Sequence, residues 1–273
     1  MIADSVLSGI WSATVTPVDE HFHPDAARAV EYYSELLAGG CNGVNVLGTT
    51  GEAMSFDVQH RANFMIALVE MGIPRDRMMF GTGATALSDA VHLNRTAAEL
   101  GVSAALIMPP FFYRDASDDG ILRFFDVLFE RAMPPPVLLY NFPKMSGIKF
   151  NADLVDRMLA EFPGRIVGMK DSSNDQALQR EILTRHPSFR ILPGSEEFLL
   201  ETLAHGTCGC ISGSVALWPK LASDVYATRE PELARQLAEK RRSLGTAQLI
   251  VTVRERIAEE RNDAAWLRSM PPL

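Results

Sequence analysis

What most restricts the fold of this chain is a repeated rhythm. SGIWSATVTP, a short apolar run ending in polar residues, is followed by PDAARAVEYYSELLAGG, whose apolar residues recur at helical spacing and whose closing glycine pair suits a C-cap. The same alternation then recurs along the chain. GVNVLG precedes DVQHRANFMIALVEMG, RMMFGTG precedes LSDAVHLNRTAAELG, AALIMPP precedes DDGILRFFDVLFERAM, and PVLLYNFP precedes NADLVDRMLAEF. IVGMKDSS leads to DQALQREILTRH, FRILPG to SEEFLLETLAHG, and CGCISGSVAL to PKLASDVYATREPELARQLAEKRRSL, which makes eight units in all. Strands written as short apolar runs, rather than as alternating patterns, belong to parallel sheets covered on both faces. Eight such units predict an α/β fold of the (β/α)8 TIM-barrel class. An open doubly wound sheet fits less well, because the nearest approach to a dinucleotide fingerprint, GTGATALS at 81–88, lacks the third glycine in register and the Lys-Ser/Thr of a phosphate loop.

The barrel is expected over residues 1–222. Residues 223–273, which include TAQLIVTVRERIAEER, are expected to form a C-terminal helical extension packed on it, since no Pro/Gly/Ser linker intervenes. A formal net charge of -8 with no basic run makes nucleic acid and anionic membrane poor partners. The N-terminus carries no Lys or Arg before its apolar residues, and no run approaches the length of a membrane span, so a cytoplasmic protein is expected. Three cysteines, Cys41, Cys208 and Cys210, without a CxxC argue against a disulfide framework and a zinc site. His21 and His23 lack partners to complete a metal site and read as a solvated turn, so neither metal nor other cofactor is expected.

In a barrel the chemistry sits where the strands end. Thr14 and Thr16 end the first run, Gly48-Thr49-Thr50-Gly51-Glu52 the second, and Phe111-Phe112-Tyr113 the fourth. Tyr140-Asn141 end the fifth, Lys170-Asp171-Ser172-Ser173 the sixth, Gly194-Ser195-Glu196-Glu197 the seventh and Ser212-Gly213-Ser214 the eighth. Lys170 is the anomaly, since lysine is among the residues least often buried. Strand alternation puts Ile166, Gly168 and Lys170 on one face and Val167 and Met169 on the other, with the glycine leaving space beside the lysine. Lys170 is therefore expected to point into the barrel mouth. Burial there favours the free amine, a nucleophile for a carbonyl. The structural alternative is a lysine paired with Glu52 or Asp171. Tyr140 and the Thr49–Thr50 pair on the same rim could supply a proton relay and backbone donors for a carboxylate.

GTTGE, YNFP and GMKDSS, in that order, together with PPFFYRDASDDG, resemble the dihydrodipicolinate synthase / N-acetylneuraminate lyase family of pyruvate-dependent class I aldolases over most of the chain. The resemblance implies a Schiff base between Lys170 and pyruvate. It makes Tyr140 the proton shuttle and Thr49 its link to a second tyrosine, matched by Tyr113, which in the family often crosses a subunit interface. Thr49 and Thr50 would hold the pyruvate carboxylate, and Gly48, Ser172, Gly194, Glu196, Ser212 and Met145 are the further substrate-binding candidates. A homotetramer is implied as well. Met145 departs from the arginine that dihydrodipicolinate synthases carry for the acceptor's carboxylate, and methionine cannot make that contact. Val58 and Arg61 stand where lysine-inhibited synthases tend to have histidines, and relatives commonly continue into a further helix past the point of MPPL. The preferred substrates are thus pyruvate and an aldehyde derived from a 2-keto-3-deoxy sugar acid or a sialic-acid-like compound. A dihydrodipicolinate synthase using aspartate semialdehyde, a dehydratase working through the same imine, and a catalytically silent keto-acid-binding barrel are the alternatives.

Overall fold

The structure is a computed structural model that describes residues 7–245 and 248–273. Its strands are β1 (Gly9–Ala13), β2 (Gly43–Val46), β3 (Met78–Gly81), β4 (Ala104–Ile107), β5 (Val137–Asn141), β6 (Ile166–Asp171), β7 (Arg190–Pro193) and β8 (Gly209–Ser212). All pair in parallel, in the order β7-β6-β5-β4-β3-β2-β1-β8. At the remaining seam the Cys208 N–H donates to Ile191 O at 3.0 Å. The chain forms the (β/α)8 barrel its rhythm predicts.

The helices are α1 (Ala26–Ala38), α2 (Val58–Glu70), α3 (Leu87–Leu100), α4 (Asp118–Ala132), α5 (Pro143–Ser146), α6 (Ala152–Glu161), α7 (Gln176–Arg185), α8 (Leu199–Ala204), α9 (Pro219–Thr228), α10 (Pro231–Ser243) and α11 (Leu249–Arg261). Five start on a side-chain cap: Asp25, Asp57, Ser117, Asn151 and Asp175 each accept a backbone N–H from three residues on. Each such cap is worth about 1 kcal/mol and fixes where a helix leaves the rim of the barrel.

The core has two layers. Trp11, Ala13, Met79, Leu106, Leu138, Tyr140, Leu192 and Ile211 cluster within the barrel. Val44, Val46, Phe80, Leu139, Ile191 and their neighbours pack outward against the helices. Val253, Ile257 and Trp266 of the C-terminal extension join the outer layer beside Ile10 and Val44.

Several expectations need correction. The boundary at 222/223 falls inside α9, and the long helix read after β8 is two helices, because Arg229 adopts a left-handed conformation and Pro231 starts a new helix at its first turn. β1 ends at Ala13, short of Thr14 and Thr16. The alternation in β6 is also interrupted. Val137 pairs with Ile166 but Leu138 with Gly168, so a bulge at Val167 puts Ile166 in the outer layer with Met169, while Val167 packs against the inner cluster. Gly168 does not leave space for the lysine: a Cβ there would clash with the Arg190 backbone oxygen of β7. Replacing Gly168 by alanine is expected to lower stability by about 1–3 kcal/mol, as overpacking does. The midpoint of urea unfolding measures it.

Candidate active site

Lys170 and Tyr140 are register partners on the adjacent strands β6 and β5. Both are buried, at 4% exposure each, and Lys170 Nζ lies 4.5 Å from the centroid of the Tyr140 ring. Asp171 and Glu52, the carboxylates named as partners for a structural lysine, are engaged elsewhere. Asp171 accepts from Asn141 Nδ2 and Gln179 Nε2, both at 2.7 Å, and from the Ser173 N–H at 3.1 Å. Glu52 takes Arg254. Lys170 is left with no ion pair among the described residues. The Asn141–Asp171 bond also ties the end of β5 to that of β6, holding tyrosine and lysine side by side.

Thr49 Oγ1 lies 3.3 Å from the Tyr140 hydroxyl. The turn carrying it closes through the Glu52 N–H on Thr49 O at 3.0 Å and the Ala53 N–H on Gly48 O at 3.3 Å. Gly51 sits tightly in it: a Cβ there would come to 3.0 Å from Thr14 O and Thr16 Oγ1. Thr50 packs against Gly213.

A chamber of about 360 Å³ opens beside Thr49, Gly48 and Tyr140. Leu47, Leu106, Phe111, Met145, Ile250 and Leu273 give it mostly apolar walls. Such a volume is within the range of small-molecule sites. Arg61 is buried behind it, donating from Nη2 to Gly81 O at 2.8 Å and Gly83 O at 3.0 Å, and desolvation pushes its guanidinium down to about 10.

Residues 6–254 match the model of the dihydrodipicolinate synthetase family. The chain belongs to that family. It is 36% identical over 222 residues to an uncharacterized DapA-like lyase of Chloroflexus aurantiacus, covering 80% of this chain and 73% of the relative. Its identity to a 4-hydroxy-tetrahydrodipicolinate synthase of Acidiphilium cryptum is 31%, covering 80% and 74%, and to the putative 2-dehydro-3-deoxy-D-gluconate aldolase YagE of Escherichia coli 27%, covering 84% and 78%. Among solved structures, dihydrodipicolinate synthase from Agrobacterium tumefaciens superimposes with a TM-score of 0.88 at 26% identity, covering 97% of this chain and 92% of the other. The synthase of Acinetobacter baumannii, solved with pyruvate, gives 0.86 at 25% identity, covering 98% and 92%. The protein is accordingly a lyase of the aldolase type.

The site residues read from the family resemblance fall into groups. Gly48, Thr49 and Tyr140 line the chamber, Lys170 lies against the Tyr140 ring but is not among the lining residues, and Thr50 packs against Gly213 after β8. Tyr113 does not join them within a single chain: it is 71% exposed, edge-on to Phe112 at 5.3 Å, and of the three aromatics it is Phe111 that lines the chamber. Ser212 is the clearest departure. Ile211 lies in the inner cluster, so alternation turns Ser212 outward, where its Oγ meets Ser214 Oγ at 3.2 Å. Ser172 packs against Gly194, whose N–H donates to Asp171 O at 2.7 Å. Glu196 is buried at 1% exposure with both carboxylate oxygens unpartnered. Met145 is half-exposed at the chamber edge. Sequence reasoning missed Asn45, whose side-chain nitrogen and oxygen are buried without partners, and Arg254, the partner of Glu52. A polar residue inside the apolar run GVNVLG was the available signal for the first.

Proposed function

We propose that the protein joins or parts pyruvate and an aldehyde through a Schiff base on Lys170. The observation that carries this reading is the lysine itself: buried at 4% exposure, unpaired, and in register with a buried tyrosine. A buried amine without a counter-ion is costly for a merely structural purpose. Lys170 Nζ attacks C2 of the keto acid, pyruvate in condensation and the longer 2-keto acid in cleavage, to give a carbinolamine, and loss of water leaves the imine. The protonated imine withdraws electrons from C3, so that a C3 proton, or in cleavage the C3–C4 bond, is lost and an enamine forms. Tyr140 carries the proton: in cleavage it accepts it from the C4 hydroxyl and passes it to C3 of the enamine, and in condensation it takes it from C3 and gives it to the aldehyde oxygen as C3 bonds to the carbonyl carbon, with Thr49 as its hydroxyl partner at 3.3 Å. Thr49 and Thr50 hold the pyruvate carboxylate. Water then hydrolyses the imine and frees Lys170.

For the aldehyde we propose a polyhydroxylated chain, as in a 2-keto-3-deoxy sugar acid, lying towards β7. Glu196 supports it, since its two buried, unpartnered oxygens lack donors that ligand hydroxyls would supply. Met145 argues against an acceptor carboxylate, and among the described residues the one charged side chain lining the chamber, Glu52, is already neutralised by Arg254. Cleavage of 2-keto-3-deoxygluconate should therefore show a higher kcat/KM than condensation of pyruvate with aspartate semialdehyde. The reverse order would give the site to the amino-aldehyde acid.

The exposed Phe112–Tyr113 pair supports a second copy of the chain on this rim, the association in which Tyr113 would reach Thr49. Sedimentation should find an oligomer. A monomer that retains full activity would remove Tyr113 from the relay.

A further inference from the structure

The turn that carries Thr49 is held from outside the barrel. Leu47 and Glu52 flank it, and both lie in the left-handed backbone region, at φ 55° and 53°. For residues other than glycine, that conformation persists only where the surroundings enforce it. Glu52 is the point of enforcement. One carboxylate oxygen accepts from Arg254 Nε at 2.9 Å and from Arg254 Nη2, and the other accepts the Met270 N–H at 2.7 Å. Arg254, 1% exposed on α11, also donates from Nη2 to Thr16 O at 2.8 Å, and Thr16 Oγ1 in turn donates to Gly51 O at 2.8 Å. A single guanidinium thus fixes Glu52 directly and Gly51 through Thr16, at the end of the turn opposite Gly48. Arg254 itself does not line the chamber, whereas Ile250, one turn earlier on the same helix, does.

We infer that Arg254 is a positioning residue for the lyase reaction: through Glu52 it sets the 48–52 turn so that Thr49 stays within reach of the Tyr140 hydroxyl. A buried ion pair is seldom more stable than a well-packed apolar replacement. Its place beside a left-handed turn, with both charged groups fully desolvated, suits an orienting duty better than a stabilising one. The C-terminal extension is then part of the catalytic apparatus, and not only a cover for the barrel.

The inference rests on the imine chemistry proposed above, and its readout is exchange of the pyruvate methyl protons in deuterium oxide, followed by proton NMR. Exchange requires the Lys170 imine and proton removal at C3 but needs no aldehyde. The variant to use is Glu52→Gln combined with Arg254→Met, which removes both charges and leaves no buried ion alone. Its exchange rate at saturating pyruvate should fall about 10²-fold, the loss expected when a catalytic group is displaced by about an ångström. The loss should not multiply with that of Thr49→Val, because both act on the same relay. Wild-type exchange in the paired variant, or losses that multiply in full, would overturn the inference. Should the paired variant fail to fold, Arg254→Lys, which keeps the charge without the planar fork, enters the same cycle under the same criteria. Borohydride trapping with pyruvate separates the two ideas. No adduct in the wild type would defeat the imine reading itself, whereas adducts in both proteins with equal exchange rates would defeat only the positioning role.

Discussion

Replacing Lys170 by alanine is expected to remove turnover while leaving the barrel folded. Deleting a covalent nucleophile lowers the rate by a factor on the order of 10⁶ in a well-studied case, and no neighbouring amine can substitute here, since Lys144 and Lys149 are both exposed to solvent. Stability should change little. The deleted side chain has no ion-pair partner to strand among the described residues, and losing the cost of burying its polar end offsets the small cavity left next to the Tyr140 ring. Circular dichroism and a thermal melt check the fold, and the aldol assay checks the rate. More than a trace of residual activity would remove the imine mechanism.

Replacing Tyr140 by phenylalanine is expected to have the second largest effect. Ring packing is preserved, because Tyr140 sits in the inner cluster with Leu138 and Leu192 and its ring meets Phe142 at 5.8 Å. Only the hydroxyl that faces Thr49 at 3.3 Å is lost. The pyruvate adduct should still form and be trapped by borohydride, whereas proton-transfer steps should slow by about 10²–10⁴-fold, the usual contribution of a positioned general acid or base. Methyl-proton exchange and cleavage rates, measured beside adduct formation, separate the steps. An unchanged exchange rate would sink the role given to Tyr140.

The barrel was legible because a parallel sheet covered on both faces leaves a pattern that needs no knowledge of contacts: an apolar run, a turn, an amphipathic helix, eight times over. The ends of those runs also led to Lys170, Tyr140 and Thr49. Errors arose where a local rule was carried too far. Alternation assumes an unbroken strand, and the bulge at Val167 reversed Ile166 while leaving Lys170 facing inward. Pro231 marked the break between α9 and α10 and was read through. Ser212 follows the inward Ile211, so its outward direction was legible only once the inner layer had been identified. The Glu52–Arg254 pair was beyond reach for a different reason. Its partners stand 202 residues apart, and nothing local in the C-terminal helix signals which strand end it will meet.

The proposed chemistry depends first on the bond between Lys170 and pyruvate. Intact-mass spectrometry of the wild type and Lys170→Ala, each treated with pyruvate and borohydride, tests it in one experiment. A mass gain of one reduced pyruvate per chain is expected in the wild type and none in the variant. No gain in the wild type, or an equal gain in both proteins, would contradict it, and a barrel that binds a keto acid without reacting with it would become the better description.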